Sequence, residues 1–402
     1  MTKRSAAAAT TAPATVSDVR QRNRSQALRS IILSRSISRA ELARECSLSI
    51  ASVTNLVSEL IAEGLVREAG TVASSGGRPV TLIEPNPSGA YILGADVGER
   101  GVAVELFDLS MTRIDTEFRG GRSGEPIDAI AHDLDEALDA LRYRNPLAWT
   151  NLAGIGLGLP GIVESDASGR QVLYAQSLGW PAIPVAELIS HDIPIFAENG
   201  AKTQAMAELW DGAARGVGEA LIVLLGRGVG LGIVTNGQLS HGLMSSAGEW
   251  GHVKIVRGGA LCRCGGHGCV EAYLGADAIL AAWRDAGGVF EGTGWRAVGE
   301  LLAAEDDPTA VAVVDELVAT LGSALGGLVN LTNPERVVIG GWVGLRLMEQ
   351  LAPRIEAAIR AEALVRPGAQ FDLAACRFGG DTVALGAAMM PLNAIINGAK
   401  AS

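Results

Sequence analysis

At 402 residues the chain is too long for one ordinary hydrophobic core, so two or three folding units are expected. A hydrophobic content of 48% with 19% charged residues excludes a disordered polyelectrolyte, and no apolar run reads as long enough to cross a bilayer, so no membrane partner is expected. Charge is split: residues 1–84 hold 11 Lys and Arg against 7 Asp and Glu, a net of +4, whereas the rest carries a net of −15, which sets a basic front suited to a polyanion on an acidic body.

Residues 1–19 are rich in Ala and Thr, lack the aliphatic core of a signal peptide and read as a disordered tail, with a cytoplasmic location as the expectation. Residues 25–34 place Ala27, Leu28, Ile31 and Ile32 at helical spacing. Ser38-Arg39-Ala40-Glu41 matches a capping box opening a short helix with Leu42 and Ala43 inward. After a turn at Cys46-Ser47-Leu48, Ser49 caps a longer helix with Val53, Leu56, Val57, Leu60 and Ile61 on one face, and Gly64 ends it. Residues 65–68 and 80–83 read as two strands flanking a Gly-rich loop. Three helices and a two-stranded ribbon predict a winged helix-turn-helix over residues 20–84. Ser49, Ser52, Thr54 and Asn55 lie on the outer face of its third helix as candidate major-groove contacts. Arg78 in the loop is a candidate for a minor groove, and Arg20, Arg22 and Arg24, ahead of the first helix, suit phosphates.

From residue 90 the pattern changes to apolar strands ending in glycines. Residues 91–98, 101–108, 152–161 and 193–197 read as strands, with helices at 127–142 and 201–210. A second series starts at residues 220–225 with Gly226-Arg227-Gly228 and closes with Val337-Val338-Ile339-Gly340-Gly341. Strand-glycine-helix units occurring twice predict two α/β lobes with a cleft between them, 85–200 joined by a C-terminal helix at 382–400, and 201–381. Three of the five cysteines fall within eight residues, and His252-x9-Cys262-x-Cys264-x4-Cys269 supplies one imidazole and three thiols, a set suited to structural tetrahedral Zn2+. His267 is a spare imidazole in the same stretch.

Gly248-Glu249-Trp250-Gly251-His252, followed by the run from Cys262 to Glu271, closely resembles the signature of the ROK family of repressors and sugar kinases. The resemblance covers residues 20–400 and implies an actin-like, ribonuclease H-like sugar-kinase body behind the DNA-binding front. It implies that Gly161, Asn199, Glu249, His252 and Glu271 bind a sugar of the glucose, xylose or N-acetylglucosamine class. It also makes His252 rather than His267 the metal ligand, on a loop stapled beside the sugar. The residue types suit the task, since carboxylates accept from vicinal hydroxyls while an amide both donates and accepts.

Against the family's kinases the chain departs at four places. They carry Asn-Asp where this chain has Asn199-Gly200, and the missing Asp is the general base. Their phosphate loops read Asp-x-Gly-Gly-Thr and Gly-Thr-Gly, against Asp96-Val97-Gly98-Glu99-Arg100 and Gly226-Arg227-Gly228 here. Trp342 follows Gly341 where a small residue is usual. The expectation is a sugar-responsive repressor, not an enzyme, acting as a homodimer or homotetramer on palindromic operator DNA. The alternatives are a glucokinase-like sugar kinase and a repressor held by a protein partner.

Overall fold

The computed structural model describes residues 15–72, 79–98, 101–120, 126–166 and 168–398. The chain divides into two compact units, one of Met1–Ala90 with Asp108–Thr112 and Leu392–Ser402, the other of Tyr91–Phe107 with Arg113–Pro391.

The first unit contains α1 (Val16–Ser34), β1 (Ile37–Ser38), α2 (Arg39–Glu45), α3 (Ile50–Ala62), β2 (Val66–Val72) and β3 (Val80–Pro85). Its core gathers Ala27, Leu28, Ile31, Leu42, Val53, Val57, Leu60 and Ile83, each fully buried. Ser38 and Glu41 form the expected box, with Ser38 Oγ accepting from the Glu41 amide at 3.2 Å and Glu41 Oε2 accepting from the Ser38 amide at 3.0 Å. Ser49 Oγ accepts from the Ser52 amide at 3.1 Å.

Four expectations are corrected in this unit. Helix α1 begins at Val16, so residues 16–19 belong to a helix and not to a tail; Thr15 and Asp18 make a capping box there, and the turns it opens are too polar to show an apolar period. Arg20, Arg22 and Arg24 therefore lie within α1. Arg20 Nη2 meets Glu59 Oε1 at 2.5 Å, and Arg24 pairs with Glu63. Arg24 Nη1 also donates to the Ile396 carbonyl at 3.0 Å, and Ser25 Oγ to the same oxygen at 3.0 Å. These cap carbonyls that a helix end leaves unpaired, so Arg24 is committed inside the unit and is withdrawn as a phosphate contact. The sheet has three strands in the order β1-β3-β2 instead of two, because Ile37 and Ser38 pair with Ile83 and Leu82. Two residues are too few to show strand alternation. Ile61, expected inward, is exposed beside buried Leu60. Arg78 lies outside the described residues.

The second unit holds two lobes. In the first, β4 (Tyr91–Gly98), β5 (Gly101–Asp108), β6 (Arg113–Arg119), β7 (Leu152–Leu159) and β11 (Ile195–Asn199) form a five-stranded sheet in the order β11-β7-β4-β5-β6. Helices α4 (Ile127–Arg144) and α5 (Pro146–Trp149) accompany it, and β8 (Ile162–Ser165), β9 (Gln171–Tyr174) and β10 (Ile183–Pro184) make a small antiparallel sheet. Helix α6 (Gly200–Asp211) leads to the second lobe. There β12 (Ala220–Leu225), β13 (Val229–Thr235), β14 (Gln238–Leu239), β15 (Arg336–Gly340) and β16 (Asp372–Ala375) form a sheet in the order β14-β13-β12-β15-β16. Its helices are α7 (Glu271–Leu274), α8 (Ala276–Asp285), α9 (Trp295–Ala303), α10 (Pro308–Thr332), α11 (Gly341–Glu362) and α12 (Val365–Gly368).

Helix α10 is long and apolar enough, by length and composition, to cross a membrane, which corrects the expectation that no run reaches that length. Val314, Leu317, Leu321, Leu325 and Val329 of α10 are buried in the core of the second lobe, and burial of that face accounts for its apolar character.

The C-terminal helix α13 (Thr382–Ile396) starts in the second unit, and its last residues belong to the first. An added Cβ at Gly94 or Gly156 would overlap the carbonyl of Ala384 or Ala387 of α13, and one at Gly386 the carbonyl of Thr203 of α6. Likewise, a Cβ at Gly230 would come within 2.6 Å of the Ala201 methyl, and one at Gly232 would overlap that of Ala205. First sheet, α13, α6 and second sheet thus stack through glycines at each interface.

Candidate functional site

Within the second unit, the ends of β4, β7 and β11 and the loops of the second lobe enclose a cavity of about 800 Å³. Strand ends of parallel sheets are where such folds place ligands. Gly161, Asn199, Glu249, His252 and Glu271, scattered over 111 positions of sequence, all line it.

Asn199 is the N-cap of α6. Its Oδ1 accepts from the Ala201 amide at 2.9 Å and its Nδ2 donates to the Gly161 carbonyl at 2.8 Å. The amide is thereby held in one orientation with one N–H and one lone pair left over, a donor and an acceptor for adjacent hydroxyls. Gly161 has φ +118°, and a Cβ there would overlap the Tyr174 carbonyl. The close approach of strand β9 requires glycine at this position.

The Glu249 carboxylate makes no hydrogen bond or ion pair among the described residues, and burial pushes it up against the opposing pull of His252 and Lys202. Glu271, 7% exposed, uses Oε2 to accept from the Val229 amide at 3.1 Å, while Arg263 Nε lies 3.6 Å from Oε1. His252 turns Nδ1 toward Cys262 Sγ, 3.7 Å away, and Nε2 toward Ser177 Oγ at 3.3 Å.

The His252, Cys262, Cys264 and Cys269 donor atoms all lie within 4.8 Å of one another, an arrangement that can hold a metal ion. Cys264 Sγ and Cys269 Sγ are 3.7 Å apart. A tetrahedral ion with Zn–S bonds of ~2.3 Å sets its sulfurs about 3.8 Å apart, so the spacing fits. The tight turn is built by the Cys262 amide donating to Gly266 O at 2.8 Å and the Gly265 amide to Cys262 O at 2.9 Å. Gly268 has φ +76° and no room for a Cβ against the Val256 carbonyl. Burial pushes the Cys262 thiol up to about 12, whereas Cys264 is held below the ordinary thiol range: burial opposes this, and the Gly266 amide, Cys262, Cys269 and the Lys254 charge outweigh it. Lys254 Nζ donates to Cys269 Sγ at 2.7 Å. His267 is exposed and outside the cluster.

At Gly200, the position at which a kinase base was expected, an added Cβ would meet nothing closer than the Leu159 carbonyl and Val383 Cγ1 at 3.8 Å. Arg227 Nη2 pairs with Asp277 Oδ2 at 3.0 Å, and Trp342 lines the cavity with its indole nitrogen 3.2 Å from where a Gly226 Cβ would stand. Glu99 and Arg100 lie outside the described residues.

A polar network beside the site escaped sequence reasoning. Glu198, 6% exposed, receives His241 Nδ1 at 3.0 Å, Ser245 Oγ at 2.9 Å and the Asn199 amide at 2.8 Å. Lys202, 1% exposed, lies 3.5 Å from Glu198 and donates to the Ser245 carbonyl. Burial acts to raise the Glu198 carboxyl, but His241, the Asn199 amide, Lys202 and Ser245 together hold it below the ordinary range. Glu198 and Lys202 are four residues apart, a spacing that reads as an ordinary surface pair. A clue lay in α6 itself, where Lys202 interrupts a series of alanines.

In the first unit, Ser49, the N-cap of α3, and Ser52, Thr54 and Asn55 within it are all exposed. Thr54 Oγ1 donates to the Ile50 carbonyl at 2.8 Å, and Ser49 and Ser52 hydroxyls are 2.8 Å apart.

Fold and site together define a two-lobed α/β protein with a sugar-kinase-like cleft and a cysteine-rich loop at its rim. The ROK family model matches residues 92–393, and the chain belongs to the ROK family. It is 29% identical over 336 residues to the xylose repressor of Caldicellulosiruptor bescii, covering 80% of this chain and 83% of that protein. Over 305 residues it is 31% identical to a glucokinase of Halalkalibacterium halodurans, 71% of this chain and 91% of that one. The crystal structure of a ROK family transcriptional regulator, a homologue of the E. coli MLC protein, superposes with a TM-score of 0.75 at 26% identity over 95% of this chain and 98% of that one.

Proposed function

We propose that the chain is a sugar-responsive, DNA-binding transcriptional repressor of carbohydrate genes, without kinase activity. The observation that carries it is a cavity in which Asn199, Glu249, His252 and Glu271 converge beside Gly200, a position with room for a base and none present. In this reading the four side chains bind the sugar hydroxyls, and His252, Cys262, Cys264 and Cys269 hold a structural Zn2+ that ties the Glu271 loop in place. When bound, the ion supplies charge and geometry only. The first unit acts as a winged helix-turn-helix, with Ser49, Ser52, Thr54, Asn55 and Arg78 toward the bases, and two or four copies engage a palindromic operator. Sugar and operator then affect each other's affinity reciprocally, by ~5–150-fold.

Mobility shifts with a genomic fragment library, with and without glucose, xylose and N-acetylglucosamine, test it. Palindromic fragments should be retarded, one sugar should change their affinity, and deletion of residues 1–84 should abolish the shift. Sugar phosphorylation in a coupled ATP assay would instead establish the kinase reading suggested by the glucokinase relative.

A further inference from the structure

One hydrogen-bonding group of the site is already engaged by a neighbouring side chain. Ser177 lies in the turn after β9, on the first lobe, and lines the cavity. Its Oγ is 3.3 Å from His252 Nε2, while the adjacent Gln176 Nε2 donates to the Cys264 carbonyl at 3.1 Å. Two successive side chains of the first lobe are thus bonded to two residues of the metal cluster on the second. His252 Nδ1 faces Cys262 Sγ. A ring nitrogen that ligates a metal carries no proton, so the proton of the neutral imidazole sits on Nε2. Nε2–H is then the donor and Ser177 Oγ the acceptor. Imidazole has only this one N–H to give, whereas Asn199 keeps a free N–H and a free lone pair, and Glu249 keeps its whole carboxylate.

We infer that Ser177 competes with the effector. In the sugar-free protein it holds His252 Nε2–H, and on binding an oxygen of the effector takes its place. The inference rests on the sugar-effector reading above and refines the ligand that reading calls for. The group facing His252 must be an acceptor oxygen, a hydroxyl or a ring oxygen; a protonated amine there sets donor against donor. The exchange also cuts one of the two bonds between the Gln176–Leu178 turn and the cysteine loop and leaves that of Gln176.

Calorimetry of the full-length, metal-replete protein with glucose, xylose and N-acetylglucosamine tests this on Ser177→Ala and Ser177→Thr. A neutral hydrogen bond contributes about 0.5–1.5 kcal/mol, so removing the competitor should tighten binding roughly two- to tenfold. Ser177→Thr keeps the hydroxyl and should return the wild-type value at equal metal content. Weaker binding by Ser177→Ala makes Ser177 a direct sugar contact, and unchanged binding makes the bond inconsequential; either overturns the inference. Nitrogen-15 spectra of the histidine side chains report separately on His252. Its Nε2–H resonance should be protected from exchange in sugar-free wild type and lose that protection in Ser177→Ala. A wild type that binds none of the sugars defeats the effector reading, while the spectra still decide whether Ser177 holds His252.

Discussion

Two loops of the second lobe deliver carboxylates to the same cavity, and they are pinned by opposite chemistries. The loop over residues 240–249 ends on Glu249 and is anchored at His241 and Ser245 by hydrogen bonds with the buried pair Glu198 and Lys202. Ser245 sits at φ +58°, a conformation that survives in a serine where its surroundings dictate it. The loop over 252–271 ends on Glu271 and is built around soft donors, with exposed Val253, Val256 and Leu261 where a core would otherwise hold it. Of the 252–271 loop, Ile255 and Val270 reach the core of the second lobe. What fails under a given stress should therefore differ between the two.

Removing the Zn2+ proposed for the cluster is the harshest test of that contrast. Cysteine-rich sites of this kind contribute ~10–16 kcal/mol of apparent binding energy in isolated zinc peptides. Cys264→Ser or a strong chelator should therefore disorder the 252–271 loop and abolish the heat of sugar binding, followed by elemental analysis and calorimetry. Next comes Lys202→Met, which leaves buried Glu198 short of its cation and should cost on the order of 3 kcal/mol in urea unfolding. Its metal content should stay at the wild-type level; loss of metal as well would show that the two pins are one.

Acid sharpens the same distinction. The folded protein holds the Glu198 carboxyl below its ordinary value of 4.5, so its contribution is complete above that value and is lost as the pH falls through the folded one. The urea midpoint of wild type should exceed that of Glu198→Gln at pH 7, and the gap should close toward pH 3. The smallest effect is expected from Gly200→Asp, within about 0.5 kcal/mol of wild type, because nothing approaches the new Cβ within 3.8 Å. Sugar phosphorylation should remain at background in that variant, since the phosphate loops keep their departures.

Local signals in the sequence were legible where one short segment contains its own cause. The Ser38–Glu41 box, the Ser49 cap and the Cys262–Cys269 spacing are of this kind. Apolar runs ending in glycines likewise announced β4, β7 and β12. The polar start of α1 carried no periodic signal beyond the Thr15–Asp18 box, and β1 is too short to show a period. The anchoring of Ser245 by Glu198 and Lys202 joins residues more than forty positions apart, and the Ser177–His252 contact spans 75. The commitment of Arg24 to the end of α13 was similarly invisible, since a basic residue on a basic segment looks the same whether it faces a phosphate or a carbonyl.

The glycine stack through the middle of the second unit limits which mutations the chain can accept. At Gly94, Gly156 and Gly386 the smallest possible replacement, a single methyl, would intrude on a main-chain carbonyl, and backbone cannot repack as a side chain can. At Gly230 and Gly232 the obstacle is another methyl, on Ala201 or Ala205. Each first step away from glycine at these positions therefore carries a large cost, and compensation would require two helices and a sheet to move together. Side chains that line the cleft, such as Ser177 and Glu249, face no such barrier, although glycines at its rim such as Gly161 and Gly268 do. Descendants of this chain can retune the ligand one residue at a time while the seam beneath it stays unaltered.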